Sequence, residues 1–140
     1  MNAILLIAHA PLASALRAAA LHVFPDAGQA VQALDVQADD APEQTLARVQ
    51  AALAALPPDH GVLTLTDVLG ATPCNVAQRL GDRARARLLA GVNLPLLLRA
   101  LCYRHEPLDA MTEKALAGGL QGIVLVTAAA PQTPESTNAE

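Results

Sequence analysis

Short apolar runs alternate along the chain with longer stretches in which apolar residues recur every three or four positions. The runs predict strands at residues 3–8, 31–36, 62–66, 87–92 and 123–127. The stretches between them predict amphipathic helices, with inward positions that include Leu16, Val49, Val76, Leu80, Leu97 and Met111. Strands that alternate with helices in this way predict an α/β fold, with a mostly parallel open sheet and helices on both faces.

Residues typical of helix ends bound several of these helices. Asp40 opens a stretch that resembles a capping box at the start of the second helix. Thr72, followed by a proline, predicts the N-cap of the third helix, and Asn93 predicts the N-cap of the fourth. The pair Gly118-Gly119 predicts the end of the last helix.

The first and third apolar runs lead directly into a polar residue, His9 and Asp67. In a flavodoxin-like sheet of strand order 2-1-3-4, with strand five beyond, strands one and three are neighbours and the topology reverses between them. Open α/β sheets bind ligands at the edge where their strands end. We therefore expect His9 and Asp67 to lie side by side there, although His9 alone is explained equally well as a polar cap on a buried strand.

A histidine beside an aspartate, followed by a glycine turn and a helix start, suits the transfer of an anionic group. A carboxylate bonded to one ring N–H fixes the imidazole tautomer, which leaves the other nitrogen free to attack. Backbone N–H groups at the start of the third helix would hold the oxygens of a phosphoryl group, with threonine hydroxyls as further donors. This predicted phosphate-binding set is Thr66, Gly70, Ala71 and Thr72. The arrangement needs no metal ion.

Composition narrows the classes of function. The chain has 140 residues, of which 53% are hydrophobic and 16% charged, which predicts one globular domain. The only aromatic residues are Phe24 and Tyr103, the formal charge is −4, and basic residues do not cluster, so the composition argues against nucleic acid as a partner. Neither G-x-x-x-x-G-K-[ST] nor G-x-G-x-x-G occurs.

The ends of the chain predict location and domain limits. The first apolar run stops at His9, too short to insert in a membrane and unlike a signal peptide, so we expect a cytoplasmic protein. Residues 1–127 are expected to form the domain. Residues 128–140 contain two prolines and several polar residues, which predicts a disordered tail.

The remaining polar and thiol side chains have structural interpretations. His22, His60 and His105 fit helix-end or surface positions, and Cys74 and Cys102 fit small buried hydrophobes. A zinc site made by His9, Asp67 and Cys74 lacks the usual ligand spacing. Ser14 lies in no G-x-S-x-G motif.

Three segments together resemble a known family, the IIA component of the mannose family of the bacterial sugar phosphotransferase system. The resemblance covers about residues 2–127 in order and spacing. The segments are Leu5-Leu6-Ile7-Ala8-His9 with Pro11-Leu12-Ala13, then Thr66-Asp67-Val68-Leu69-Gly70-Ala71-Thr72-Pro73-Cys74-Asn75, and then Gly91-Val92-Asn93-Leu94-Pro95.

The resemblance implies a phosphocarrier without a cofactor. His9 would accept a phosphoryl group from phospho-HPr and pass it to a IIB component, while Asp67 would orient His9. The resemblance also implies a homodimer in which the last strand, residues 124–127, runs antiparallel and is exchanged between subunits. An apolar rim of Leu12, Val68 and Leu69 would contact HPr, unless these residues belong to the core.

The chain departs from the family pattern at two places. Ala10 follows the histidine where the family commonly has glycine, and Ala71-Thr72 replaces the common Gly-Ser. Threonine keeps the serine hydroxyl, but alanine restricts the backbone where glycine would permit positive φ. Phosphate-site geometry and partner recognition are the properties that these substitutions put in question.

Three hypotheses remain open on the sequence. The protein is a phosphocarrier, a regulatory module of the same fold that no longer passes phosphate onward, or an unrelated flavodoxin-like small-molecule binder. The lack of aromatic residues disfavours a flavin. No IIB-like domain follows within the 140 residues, so a separate IIB component or a regulatory target is the expected acceptor.

Overall fold

The computed structural model describes residues 1–79 and 85–127. Its strands are β1 (Asn2–His9), β2 (Val31–Val36), β3 (Gly61–Thr66) and β4 (Ala86–Ala90). Its helices are α1 (Leu12–Val23), α2 (Pro42–Ala54), α3 (Thr72–Gln78), α4 (Leu94–Cys102) and α5 (Leu108–Gln121), with a short 3₁₀ turn at Pro25–Ala27. None of the described helices is long and apolar enough to cross a membrane.

The four strands form one parallel sheet of order β2-β1-β3-β4. This confirms the predicted flavodoxin-like arrangement, including the adjacency of strands one and three. β1 is central and buried along its length except at its last residue, His9. The register pairs Ile7 with both Leu34 and Thr66, so the ends of three strands reach the same edge.

Alternate residues of the sheet pack into two apolar cores, one on each face. Ile4 and Leu6 of β1 face a cluster that includes Leu97 of α4 and Met111 of α5. Leu5 and Ile7 face the other cluster, which includes Val49 of α2 and Val76 of α3. Side chains alternate across a strand, so the uninterrupted apolar run of β1 supplies both cores. Helices on both faces are therefore confirmed.

Two predicted N-caps lie one residue away from the observed ones. α2 begins at Pro42 with Ala41 as its N-cap, and Asp40 instead accepts a hydrogen bond from the N–H of Gln37 at 2.8 Å. α3 has Ala71 as its N-cap, and Thr72 is its first helical residue. In both cases the proline occupies one of the first two helical positions, where its missing N–H costs nothing.

The Gly118-Gly119 pair does not end α5, which continues to Gln121. These glycines instead let α5 pack closely against α4. A Cβ at Gly118 would lie 2.7 Å from Cβ of Arg99, and a Cβ at Gly119 would lie 3.0 Å from Cβ of Leu96. The N-cap prediction for α4 is confirmed, because Asn93 Oδ1 accepts from the N–H of Leu96 at 2.9 Å.

The last predicted strand does not form within a single chain. Residues 123–127 form no strand and are exposed, because β4 ends the sheet and nothing in the described chain pairs with them. β4 itself stops at Ala90, since Gly91 turns the chain with φ +90° and the N–H groups of Gly91 and Val92 both donate to the Thr66 carbonyl at 3.0 Å.

Other predictions have mixed outcomes. Cys74 is buried as expected, whereas Cys102 is exposed at the end of α4, contrary to its interpretation as a buried hydrophobe. The inward position assigned to Leu80 and the disordered tail assigned to residues 128–140 lie outside the described residues.

Candidate functional site

His9 and Asp67 are in direct contact where β1 and β3 end. His9 Nδ1 lies 2.6 Å from Asp67 Oδ2, and the backbone N–H of His9 donates to the same oxygen at 3.0 Å. The other oxygen, Asp67 Oδ1, accepts from the N–H of Val68 at 2.9 Å. The carboxylate is therefore fixed by backbone groups on both of its oxygens. The predicted pairing of the two strand ends is present in the structure.

The electrostatics of Asp67 favour an ionised carboxylate. Partial burial acts to raise its pKa, but the hydrogen bonds from the His9 backbone, the His9 ring and the Val68 backbone outweigh burial. Together with the charge of the His9 ring, they hold the pKa of Asp67 below its ordinary value of 3.8. An ionised carboxylate can only accept hydrogen bonds, so the proton between the two side chains belongs to His9 Nδ1.

This pairing leaves Nε2 as the ring nitrogen of His9 without a partner among the described residues. The His9 side chain is 52% exposed, whereas the Asp67 side chain is only 11% exposed. Nε2 makes no hydrogen bond to any residue in the described part of the chain. With the proton on Nδ1, Nε2 carries the lone pair and can attack an electrophile that arrives from solvent.

The loop after Asp67 supplies unused backbone donors. The N–H groups of Gly70, Ala71 and Thr72 donate to no acceptor within residues 1–79 and 85–127. Gly70 adopts φ +89°, and a Cβ there would meet nothing within 4 Å, so the backbone is open to an approaching group. The alanine substitutions cause no strain, because Ala71 has φ −91° and no described residue other than glycine has positive φ.

Thr66 has a different environment from the rest of the predicted phosphate-binding set. Its side chain is fully buried, and its hydroxyl has no hydrogen-bond partner among the residues described. Thr66 is the last residue of β3 and is covered by the core, whereas Asp67 follows the strand and reaches the sheet edge. The structure does not bring the Thr66 hydroxyl to the surface beside the exposed ring of His9.

A family model described as the PTS system fructose IIA component (EIIA-man) matches residues 3–116. The chain belongs to this family. Among its relatives, a fructose-specific EIIA component from Bacillus subtilis is 43% identical over 56 residues, which are 39% of this chain and 38% of that protein. A mannose-specific EIIAB component from Escherichia coli K12 is 33% identical over 84 residues, 58% of this chain and 26% of that protein.

Solved structures of EIIA proteins share the fold. The mannose/sorbose-specific IIA subunit from Enterococcus faecalis superposes with a TM-score of 0.81 at 25% identity, covering 94% of this chain and 98% of that one. EIIA from Streptococcus agalactiae gives 0.77 at 25% identity, with 89% and 97% covered. The chain matches less than half of the length of each curated relative above. Membership in this family removes the interpretation as an unrelated small-molecule binder.

The three apolar residues predicted to surround the site in this EIIA protein are exposed. Leu12 lies at the start of α1, and Val68 and Leu69 lie in the loop after Asp67. They do not belong to either core. Leu12 follows His9 by three residues, and Val68 and Leu69 directly follow its partner Asp67, so exposed apolar side chains lie on both chain segments that leave the site.

The other histidines of the EIIA chain lie away from the site. His22 is in the last turn of α1, and His60 directly precedes β3. His105 follows Arg104, whose carbonyl accepts from the N–H of Asn2 at the start of β1. All three therefore lie toward the opposite edge of the sheet. Within the described residues, no group of three His, Cys, Asp or Glu side chains could hold a metal ion, which covers the His9, Asp67 and Cys74 combination.

Sequence reasoning missed one polar contact near the site. Asp35, the penultimate residue of β2, accepts hydrogen bonds from both the N–H and the hydroxyl of Ser14 in α1. No motif marks this pair. The sequence signal that could have indicated it is the position of Asp35, a carboxylate near the end of an edge strand that lies beside the strand ending in His9.

Proposed function

We propose that this EIIA protein is a phosphocarrier that accepts a phosphoryl group on Nε2 of His9 from phospho-HPr and passes it to a IIB component. The observation that supports this most directly is the 2.6 Å contact between His9 Nδ1 and an ionised Asp67. With the Nδ1 proton directed at Asp67, the lone pair available for attack in the neutral ring is that of Nε2.

The transfer is an in-line displacement between two histidines. The Nε2 lone pair of His9 forms the new N–P bond as the N–P bond of the donor histidine breaks, and that electron pair returns to the donor ring. The Nδ1 proton stays between His9 and Asp67, whose negative charge stabilises the positive charge that develops on the ring. Onward transfer to IIB is the same displacement with His9 as the donor.

The phosphoryl oxygens are held by the backbone N–H groups of Gly70, Ala71 and Thr72, with the Thr72 hydroxyl as a further donor. These N–H groups are unused within residues 1–79 and 85–127, which supports the assignment. Hydrogen bonds to an ionised group are about twice as strong as neutral ones, so a few aligned donors suffice. Burial of its hydroxyl leaves Thr66 outside this proposed set.

HPr and IIB dock on the surface formed by Leu12, Val68 and Leu69. These residues are exposed and apolar beside His9, which suits a contact that forms and dissociates in every transfer. Carrier, donor and acceptor work in the compartment that holds phosphoenolpyruvate, so we propose a cytoplasmic location.

The functional unit is a homodimer in which residues 123–127 of each chain extend the partner's sheet. Ile123, Val124, Leu125 and Val126 are all exposed, Leu125 to 89%. Covering a large aliphatic side chain contributes about 1.5–3 kcal/mol. β4 is the terminal strand of the described sheet, so its outer edge offers unpaired backbone groups to such a segment.

The proposal is tested by phosphorylation with phosphoenolpyruvate, enzyme I and HPr. We expect acid-labile, alkali-stable phosphate on the protein, complete loss of it in His9→Ala, and full incorporation in the matched control His105→Ala, which removes another exposed histidine. No incorporation with a cognate HPr would contradict the proposal. A phosphorylated His9 that no IIB of the same organism discharges would favour the regulatory module instead.

A further inference from the structure

Asp35 is a charged residue at the functional edge of the sheet that the transfer step does not use. In the register of β1 and β2 it lies opposite Ala8, one position before the pair formed by His9 and Val36. It therefore lies on the β2 side of His9, while Asp67 lies on the β3 side.

The Asp35 carboxylate caps the first turn of α1 from another element. Oδ1 accepts from the Ser14 N–H at 3.0 Å, and Oδ2 accepts from the Ser14 hydroxyl at 2.6 Å. Ser14 is the third residue of α1, so its N–H is one of the donors that a helix start leaves without an internal partner. α1 has no side-chain cap of its own and no acidic residue in its first turn. Asp35 supplies both the acceptor and the negative charge.

Only two residues, Ala10 and Pro11, connect His9 to α1, and Ala10 is bonded to β2 while Pro11 is bonded to α1. The N–H of Ala10 donates to the Val36 carbonyl at 2.9 Å. The Pro11 carbonyl accepts from the N–H of Ala15 at 3.0 Å in the turn that Asp35 caps. A shift in the start of α1 would therefore be transmitted through this short connection to the backbone of His9.

The ring of His9 depends on its backbone for orientation. Its side chain is 52% exposed, so packing restrains it little, and the contact with Asp67 uses both the backbone N–H and Nδ1. We propose that Asp35, through Ser14, is a positioning residue that fixes the start of α1 and keeps His9 Nδ1 aligned with Asp67. This inference rests on the proposed function of His9 as the phosphoryl acceptor.

The test compares the His9 ring and the transfer rate in matched variants. In Asp35→Ala we expect faster exchange of the Nδ1 proton with water in nitrogen-resolved NMR of the unphosphorylated protein. We also expect phosphoryl acceptance slower by about tenfold, as a small misalignment of a reacting group produces. Asp35→Asn keeps an oxygen that can accept from the Ser14 N–H, so it should restore most of both properties.

Asp26→Ala is the control, because it removes the same charge from the exposed turn that precedes β2, away from the site. We expect wild-type proton exchange and wild-type transfer in this variant. An Asp35→Ala protein with both properties unchanged would overturn the proposal, and so would equal effects of Asp26→Ala. If Asp35→Ala does not fold, Asp35→Leu decides, because it also removes the acceptor of both Ser14 bonds while filling a similar volume. Faster Nδ1 exchange supports the positioning role, and an unchanged signal overturns it.

The two measurements separate this inference from the phosphocarrier proposal. Proton exchange at Nδ1 is measured without HPr, so a change in Asp35→Ala supports the positioning role even if the wild type accepts no phosphate. In that case the phosphocarrier proposal fails alone. If the wild type accepts phosphate and Asp35→Ala changes neither measurement, only the role of Asp35 is overturned.

Discussion

The edge where β1 and β3 end differs from the segment after α5 in whether its side chains find partners within the same chain. At the edge, polar groups are paired within the chain, His9 with Asp67 and Ser14 with Asp35. After α5, residues 123–127 expose consecutive large apolar side chains and make no strand. The first region is complete in one chain, while the second has apolar surface that no described part of the chain covers.

This difference separates chemistry from assembly. The 2.6 Å contact that prepares His9 needs no second chain, so a monomer should still accept a phosphoryl group. The free energy of association should come from the apolar segment, which holds no titratable side chain. Variants in one region should therefore leave the property of the other unchanged.

The largest effect is expected from Asp67→Asn. Asparagine can donate to Nδ1 as well as accept from it, which permits the tautomer with the proton on Nε2 and removes the lone pair that attacks. We expect the initial rate of transfer from phospho-HPr to fall by about a hundredfold or more, as in other sites where a carboxylate orients a histidine. Sedimentation should show an unchanged oligomeric state.

The exposed Asp39 provides the control for this change. Asp39→Asn removes one negative charge from the loop between β2 and α2, and its transfer rate should stay within about twofold of the wild type because surface charges act weakly in salt. A transfer rate in Asp67→Asn close to that of the wild type would remove Asp67 from the mechanism.

Leu125→Asp tests the other region. A carboxylate in an apolar intermolecular contact would be desolvated without a partner, so we expect the dimer to dissociate at micromolar concentrations. Sedimentation velocity measures the change, and Val23→Asp, at another exposed apolar position, should stay dimeric. Phosphorylation of His9 should persist in the monomer. A wild type that is monomeric at high concentration would contradict the proposed exchange.

Much of the fold and the central pair could be predicted because their signals are local. Apolar runs of strand length mark β1 to β4, and a parallel sheet brings the ends of its strands to one edge, which places His9 beside Asp67. The pairing required only the strand order. The departures Ala10 and Ala71 could not be judged from sequence, because only the backbone angles show that neither alanine is strained.

The features that the sequence did not predict for a single chain depend on contacts between distant elements. Gly118-Gly119 signals a helix end locally, but its role is the close packing of α5 on α4. Residues 123–127 have the composition of a strand, but a strand also needs a neighbour, and no described part of this chain provides one. The contact between Asp35 and Ser14 follows from β2 lying beside β1, which no short motif encodes.

A smaller effect is expected from Thr66→Val, which tests whether the buried hydroxyl at the end of β3 has a role at the sheet edge. The buried Thr66 hydroxyl has no partner among the described residues, so an apolar side chain of the same shape should raise the free energy of unfolding by about 1 kcal/mol. Urea denaturation measures this. Thr45→Val, which removes the second such hydroxyl, should stabilise similarly.

The same Thr66→Val variant distinguishes between the two roles considered for this residue. If the hydroxyl is only a buried core group, the transfer rate from phospho-HPr should stay within about twofold of the wild type while stability rises. A large loss of transfer with normal folding would instead assign the Thr66 hydroxyl to the phosphoryl group, and would require the edge to open when the donor binds.

The smallest expected effect is the acid dependence of stability that Asp67 contributes. Its pKa is lowered in the folded protein, so the unfolded chain binds the proton more tightly and stability falls as pH drops below the ordinary value of 3.8. In a monomeric Leu125→Asp background, urea unfolding between pH 3 and 7 should therefore lose stability more steeply in acid with Asp67 than with Asp67→Asn, and the two curves should run parallel above about pH 5. Asp39→Asn in the same background should follow the Asp67 protein throughout. Parallel curves over the whole range would mean that folding does not stabilise the ionised form of Asp67. The sheet edge would then differ from residues 123–127 in its hydrogen bonds but not in its electrostatics.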